Sequence, residues 1–244
     1  MLNTLIRTTL LLSLAAQLHA AQPGDYQGAL QEYQARSAGK PGFSADEQAT
    51  MARAKAVLAA SLPNPGIQVG ERAPDFTLPN AFGQKVNLYD ELKKGPVVLV
   101  FYRGAWCPFC NLHLHALRES LPQFQALGAQ LIAITPQTPD KSLEQFKAAP
   151  REFDVLSDLD SEVMRAYRLY FEVDSDLADV YRKHGLDLIE YNGPGRNVLP
   201  APGTFVIDRT GIVRAMQADT DYTQRMEPAA IVRALESLRA TSQP

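Results

Sequence analysis

Residues 96–110 read Pro96-Val97-Val98-Leu99-Val100-Phe101-Tyr102-Arg103-Gly104-Ala105-Trp106-Cys107-Pro108-Phe109-Cys110. The first half is a continuous apolar run rich in β-branched residues, which predicts a strand buried on both faces. The run stops at Arg103-Gly104-Ala105-Trp106, and beyond the cysteines Leu112, Leu114, Leu117 and Leu121 recur at helical spacing. Pro108 suits the first turn of that helix, where its missing N–H would have had no partner. The two cysteines therefore fall at a strand-to-helix junction. Unpaired backbone N–H groups and the positive end of the helix dipole favour a thiolate there.

Cys107 and Cys110 are the only cysteines among 244 residues. A bridge closing so small a loop removes little chain entropy and would stabilise a fold weakly. A zinc site needs about four ligands, and the four histidines do not sit at ligand spacing with the pair, so no metal site and no cofactor is expected. The spacing suits a two-step thiol reaction instead. One sulfur attacks, the other resolves the mixed disulfide or sulfenic acid, and both routes end in a Cys107–Cys110 disulfide.

The rest of the chain alternates strands and helices. Short strands are expected at Thr77–Leu78 and Val86–Leu88, a buried strand at Leu131–Ile134, and a short one at Phe153–Leu156. Helices are expected at Ser142–Ala148 and Ser161–Tyr167. A hairpin pairs Thr204–Asp208 with Ile212–Ala215, and a last helix runs from about Pro228 to Arg239. This order implies an α/β sandwich with a mixed central sheet flanked by helices. Residues 21–66 read as a helical extension. Ser44 and Glu47 form a capping box for a helix from Ala45 to Leu62, with Met51, Ala54, Leu58 and Leu62 near one face. Packing against the main domain is its expected role, with a dimerisation arm as the alternative.

Met1–Ala20 carries Arg7, a leucine-rich apolar core and small residues near Ala20, the pattern of a secretory signal peptide. Cleavage near Ala20 would leave a periplasmic or secreted protein with no membrane span; an uncleaved anchor is the alternative. Composition is that of an ordinary globular chain: 45% hydrophobic, 21% charged, net charge −3. No basic stripe or arginine-rich run points to nucleic acid.

Trp106-Cys107-Pro108-Phe109-Cys110 resembles the active motif of the thioredoxin superfamily. Gly70 to Leu78, Phe101 to Asn111, Leu156-Ser157-Asp158 and Pro202 to Asp208 resemble, more closely, the AhpC/TSA peroxiredoxin-like group. Asp221-Tyr222, Arg225, Glu227 and Pro228 also fit that branch. The likeness spans about Ile67 to Leu238 and implies a thioredoxin-like, peroxiredoxin-type domain over residues 67–241. It further implies a redox-active dithiol that takes a hydroperoxide or a protein disulfide as substrate, with a thioredoxin-like electron donor.

The chain departs from the group at its site. Peroxiredoxins carry a proline, then a threonine or serine four residues on, then the peroxidatic cysteine three further. Those positions here are Arg103, Cys107 and Cys110. The arginine that the group places before its Thr-Phe strand falls at Pro202, which instead resembles the cis-proline facing the thioredoxin motif. Two mechanisms follow. Cys110 attacks a hydroperoxide and Cys107 resolves, with Arg103 supplying positive charge. Alternatively, Cys107 exchanges with a protein disulfide and Cys110 resolves. A redox-inert binding protein with a vestigial motif is a third class. Trp106 is expected to shield the sulfurs, and His113 to be solvated although it lies one turn beyond Cys110. His115 is expected at the surface. Tyr222, Arg225 and Glu227 are expected to form a structural cluster.

Overall fold

The computed structural model describes residues 24–39, 42–145 and 152–241. The secretory signal expected at Met1–Ala20 and the end of the helix expected over Ser142–Ala148 lie outside the described residues.

The apolar run of residues 97–101 becomes β3 (Val97–Phe101), with every side chain buried. It sits third in a five-stranded sheet ordered β5-β4-β3-β8-β9. The partners are β4 (Gln130–Thr135) and β5 (Asp154–Ser157) on one side, and β8 (Gly203–Ile207) and β9 (Val213–Ala218) on the other. β3 runs parallel to β4, as Leu99↔Ile132, and antiparallel to β8, as Leu99↔Phe205. Burying its five large side chains contributes on the order of 10 kcal/mol. The strand is thus a fixed platform for the loop that leaves its C-terminal end.

Its alternate side chains feed two cores. Val97, Leu99 and Phe101 join Phe76, Tyr167 and Phe205 on one face. Val98 and Val100 join Leu114, Leu117, Phe124 and Ile231 on the other, together with both cysteines. The second face is covered by α4 (Pro108–Glu119), α5 (Leu121–Ala126) and α10 (Pro228–Thr241). The remaining expected elements are present with small shifts: the hairpin β1 (Thr77–Pro79) and β2 (Lys85–Asn87), α6 (Pro139–Gln145) and α7 (Glu162–Ala166). Leu88 opens the helix α3 (Leu88–Lys94) rather than closing a strand, because the Asn87 side chain accepts from the Asp90 N–H and caps it.

The stretch between Tyr167 and Pro202 is richly structured. It holds the short antiparallel pair β6 (Tyr170–Glu172) and β7 (Val198–Pro200), and the helices α8 (Ser175–Lys183) and α9 (Leu188–Asn192). Asp174 caps α8 by accepting from the Leu177 N–H, 3.0 Å away.

The extension folds as two helices that behave differently. α1 (Tyr26–Ser37) lies on α4, burying Tyr26 and Leu30 against Ala116. α2 (Ala45–Ser61) has the anticipated capping box but buries no residue fully. It is tied down by exposed contacts: ion pairs of Arg53 with Asp176 at 2.8 Å and Lys55 with Asp221 at 2.7 Å, and a Glu47–His184 contact at 3.2 Å. The face of Met51, Ala54, Leu58 and the C-cap Leu62 lines a cavity of about 530 Å³, and of these Leu62 also packs against the first core. Among the described residues no helix is long and apolar enough to cross a membrane.

Candidate active site

Cys107 is the N-cap of α4, Pro108 its first helical residue and Cys110 lies in its first turn. The Asn111 N–H closes the first helical hydrogen bond on the Cys107 carbonyl at 3.1 Å. Both cysteines are free thiols and only 1% exposed. Their sulfurs lie 2.8 Å apart. A disulfide of about 2.05 Å needs an approach of only about 0.8 Å.

The loop from Tyr102 to Cys107 is held from behind by Gln137, which is fully buried. Its Oε1 accepts from the Ala105 N–H at 3.0 Å, and its Nε2 donates to Ser142 Oγ at 3.1 Å. Gly104 is required in this loop. Its φ is +149°, and a Cβ there would lie 2.5 Å from Trp106 Nε1. Asn111 Nδ2 donates to the Ala105 carbonyl at 2.8 Å and ties the loop to α4.

Two buried arginines approach the sulfurs. Arg225, 5% exposed, places Nη2 3.4 Å from Cys110 Sγ. Arg103, 6% exposed, donates from Nη2 to the Tyr181 hydroxyl at 2.7 Å. Its guanidinium lies over the rings of Trp106 (4.9 Å) and Tyr222 (4.8 Å). Among the described residues neither arginine has a carboxylate partner within ion-pair distance, and Arg225 is the one in contact with a sulfur.

The two thiols consequently separate. For Cys110, burial opposes ionisation, but the hydrogen bond from Cys107, the Arg225 charge and the Arg103 N–H together bring the thiol down to about 6. For Cys107, the hydrogen bond to Cys110, burial and the neighbouring negative sulfur all push the thiol up, against both arginines. Both sets of causes favour the proton on Cys107 and the charge on Cys110.

His113 is not solvated. It is 2% exposed, with Nε2 3.0 Å from the Met226 carbonyl and its ring edge-on to Tyr26 at 5.4 Å. α1 supplies the cover that α4 alone would not. Burial, aided by the Arg225 charge, lowers its pKa to about 3, so at neutral pH it is an uncharged donor to Met226 and cannot carry a proton to the sulfurs. His115 is exposed and lies beside Glu119 at 3.7 Å.

Pro202 is not a cis-proline: no cis peptide occurs among the described residues. Its surroundings already satisfy the local backbone. The Ala201 N–H donates to the Leu169 carbonyl at 2.7 Å, and the Pro202 carbonyl accepts from Asp219 at 3.2 Å. Pro202 lines the cavity beneath α2, together with Arg103. Trp106 is half-buried, beside Tyr181 at 6.2 Å, and its ring shields Arg103.

The expected cluster of Tyr222, Arg225 and Glu227 divides by role. Glu227 accepts from the Tyr26 and Gln27 N–H groups and fixes the start of α1. Tyr222 packs on Phe109 and Arg103. Arg225 contacts the reactive sulfur. The guanidinium that seemed absent, because Pro202 stands at the expected position, arrives from the loop before α10. The hydroxyl that is absent at position 107 is replaced by the Cys107 thiol, which reaches the same sulfur.

Residues 69–216 match the AhpC/TSA family. Rv2521 of Mycobacterium tuberculosis, named as a peroxiredoxin, is 36% identical over 154 residues, covering 63% of this chain and 87% of the relative. The thiol-disulfide oxidoreductase ResA of Geobacillus kaustophilus is 27% identical over 174 residues, covering 71% of this chain and 79% of that protein. The fold superposes on the crystal structure of peroxidoxin BcpB from Mycobacterium tuberculosis with a TM-score of 0.56 at 22% identity, covering 72% of this chain and 99% of that one. With its paired, electrostatically separated thiols, the chain belongs to the AhpC/TSA family within the thioredoxin superfamily, as a peroxiredoxin-like thiol oxidoreductase.

Proposed function

We propose that the dithiol reduces hydrogen peroxide or an organic hydroperoxide, with Cys110 as the attacking sulfur and Cys107 as the resolving one. One observation carries this reading: the sulfur beside Arg225 is Cys110, with Nη2 3.4 Å from Sγ, and that contact favours the thiolate there. The Cys110 thiolate attacks the terminal peroxide oxygen. The O–O bond breaks, the alkoxide or hydroxide leaves and takes a proton, and Cys110 becomes a sulfenic acid. The Cys107 sulfur then displaces that hydroxyl, water departs and the bridge closes. Two electrons and two protons from a thioredoxin-like dithiol reopen it. The Arg225 guanidinium beside the sulfur favours the thiolate and the charge that develops on the departing oxygen.

The access geometry supports the same order. Sulfurs that are 1% exposed can receive a two-oxygen substrate more readily than a folded protein's disulfide. The leader at Met1–Ala20 supports export to the periplasm. Exchange with protein disulfides, as the ResA relatives are named for, is the competing activity. The test is to mix the reduced protein separately with hydrogen peroxide, an organic hydroperoxide and a disulfide-bonded protein. The proposal expects dithiol oxidation by peroxide far faster than that of free cysteine. A rate no faster than free cysteine, with rapid oxidation by the protein disulfide, would sink it.

A further inference from the structure

We infer that the cavity beneath α2 is a binding site for an amphipathic carboxylate, its anionic head on Arg103 and its aliphatic body under α2. The proposal goes beyond peroxide reduction and does not depend on it.

The first observation is charge balance. Arg103 and Arg225 are both more than nine-tenths buried, and among the described residues neither meets a carboxylate. The thiolate of the dithiol is in contact with Arg225, whereas Arg103 interacts with it only at longer range and hydrogen-bonds the Tyr181 hydroxyl instead. A buried guanidinium without a counter-charge is costly, and ring faces and one hydroxyl repay that cost only in part. Arg103 Nε is buried and has no hydrogen-bond partner. Arg103 also lines the cavity, so a guanidinium with an unpartnered Nε–H and no carboxylate partner borders a space a ligand can occupy.

The second observation is the cavity itself. Its volume of about 530 Å³ lies within the roughly 300–1,000 Å³ of small-molecule sites. Its walls are mainly apolar: Met51, Leu58 and Leu62 from the α2 segment face Val173, Leu177 and Pro202. The other charged groups around it are already engaged. Lys55 pairs with Asp221, Asp174 caps α8, and Glu172 accepts from the Tyr170 hydroxyl. A guanidinium and a mainly apolar wall of aliphatic and aromatic side chains match a medium-chain carboxylate rather than a neutral oil or a small anion. The roof is compatible with entry. α2 buries no residue and is held by exposed contacts, which contribute little each.

Trp106 is the only tryptophan and lies 4.9 Å from the Arg103 guanidinium, so its fluorescence reports on this arginine. The experiment titrates the reduced full-length protein with decanoate, below its micelle concentration. Decanol supplies the same body without charge, and acetate the same head without the body. Trp106 emission and calorimetry are both followed. The expected result is saturable binding of decanoate at least tenfold tighter than of decanol or acetate, and weakened at least tenfold by Leu58→Glu. Arg103→Gln is expected to abolish the preference for decanoate over decanol; should that variant not fold, the Leu58→Glu result and the decanol comparison decide the matter. Equal binding of decanol, undiminished binding to Leu58→Glu, or no saturable binding of decanoate would each overturn the proposal. Because no readout involves peroxide, failure here leaves the peroxidase reading intact, and the reverse holds.

Discussion

Replacing Arg225 with glutamine removes the positive charge 3.4 Å from Cys110 Sγ while keeping a polar side chain. With an effective dielectric near 20, a unit charge pair at that separation interacts by about 5 kcal/mol before desolvation of the partners is counted. Measured effects of an opposite charge within reach of a titrating group are smaller, about 1–3 pKa units. The Cys110 thiol stands at about 6 in the intact site. A two-unit rise takes the thiolate fraction at pH 7 from roughly nine-tenths to about a tenth. Alkylation of Cys110 by iodoacetamide at pH 7 should therefore slow about tenfold, and recover above about pH 9 as the weaker acid ionises. The peroxide reaction should not recover fully at high pH, because the departing oxygen also loses its guanidinium. The assay is the pH dependence of both rates in wild type and Arg225→Gln, with thermal unfolding to confirm that both are folded. A midpoint unchanged to within about half a unit would show that Arg225 does not hold the thiolate, and the site reading would fail.

Other predictions follow from the same geometry. In wild type, the peroxide rate should rise through about pH 6 and be nearly flat by pH 8, because Cys110 ionises low; a midpoint near that of an ordinary thiol would contradict it. Gly104→Ala should cost about 1–3 kcal/mol and shift Trp106 emission, because the new Cβ meets the indole and the backbone is at φ +149°. Unchanged emission and melting temperature would refute that account. His113 takes up no proton in the folded state until about pH 3, whereas in the unfolded chain it does so near 6.5. The unfolded state then binds more protons between those values, so this residue's contribution makes stability fall as pH drops from about 6.5 to 3. The full difference is on the order of 4–5 kcal/mol, and His113→Gln should flatten the decline in denaturant titrations over that window.

The strand and the motif were legible because each is a local pattern. An apolar β-branched run followed by a helix-starting proline dictates both β3 and the site at its end, and the capping box dictated the start of α2. α3 and α8 escaped notice although Asn87 and Asp174 are ordinary caps, since neither helix carries a long apolar stripe. The arginine at the sulfur was misread for a different reason. It is 115 residues from Cys110 in sequence, and only closure of the chain through β8, β9 and the loop before α10 brings it there. His113 was misplaced because its burial depends on Tyr26, from a helix that sequence spacing could not dock. Pro202 resembles a cis-proline by its place in the sequence, but its peptide is not cis and hydrogen bonds to Leu169 and from Asp219 hold the backbone there.

The central claim is that Cys110 strikes first. Cys107→Ser keeps a hydroxyl able to donate to the Cys110 sulfur, whereas Cys110→Ser removes the sulfur that Arg225 faces. Each variant is mixed with one equivalent of hydrogen peroxide in a stopped-flow instrument, and the product is located by a sulfenic-acid trap and mass spectrometry. The account predicts that Cys107→Ser reacts at close to the wild-type rate and carries the trap on Cys110, while Cys110→Ser reacts no faster than free cysteine. A fast reaction in Cys110→Ser, with the trap on Cys107, would contradict it.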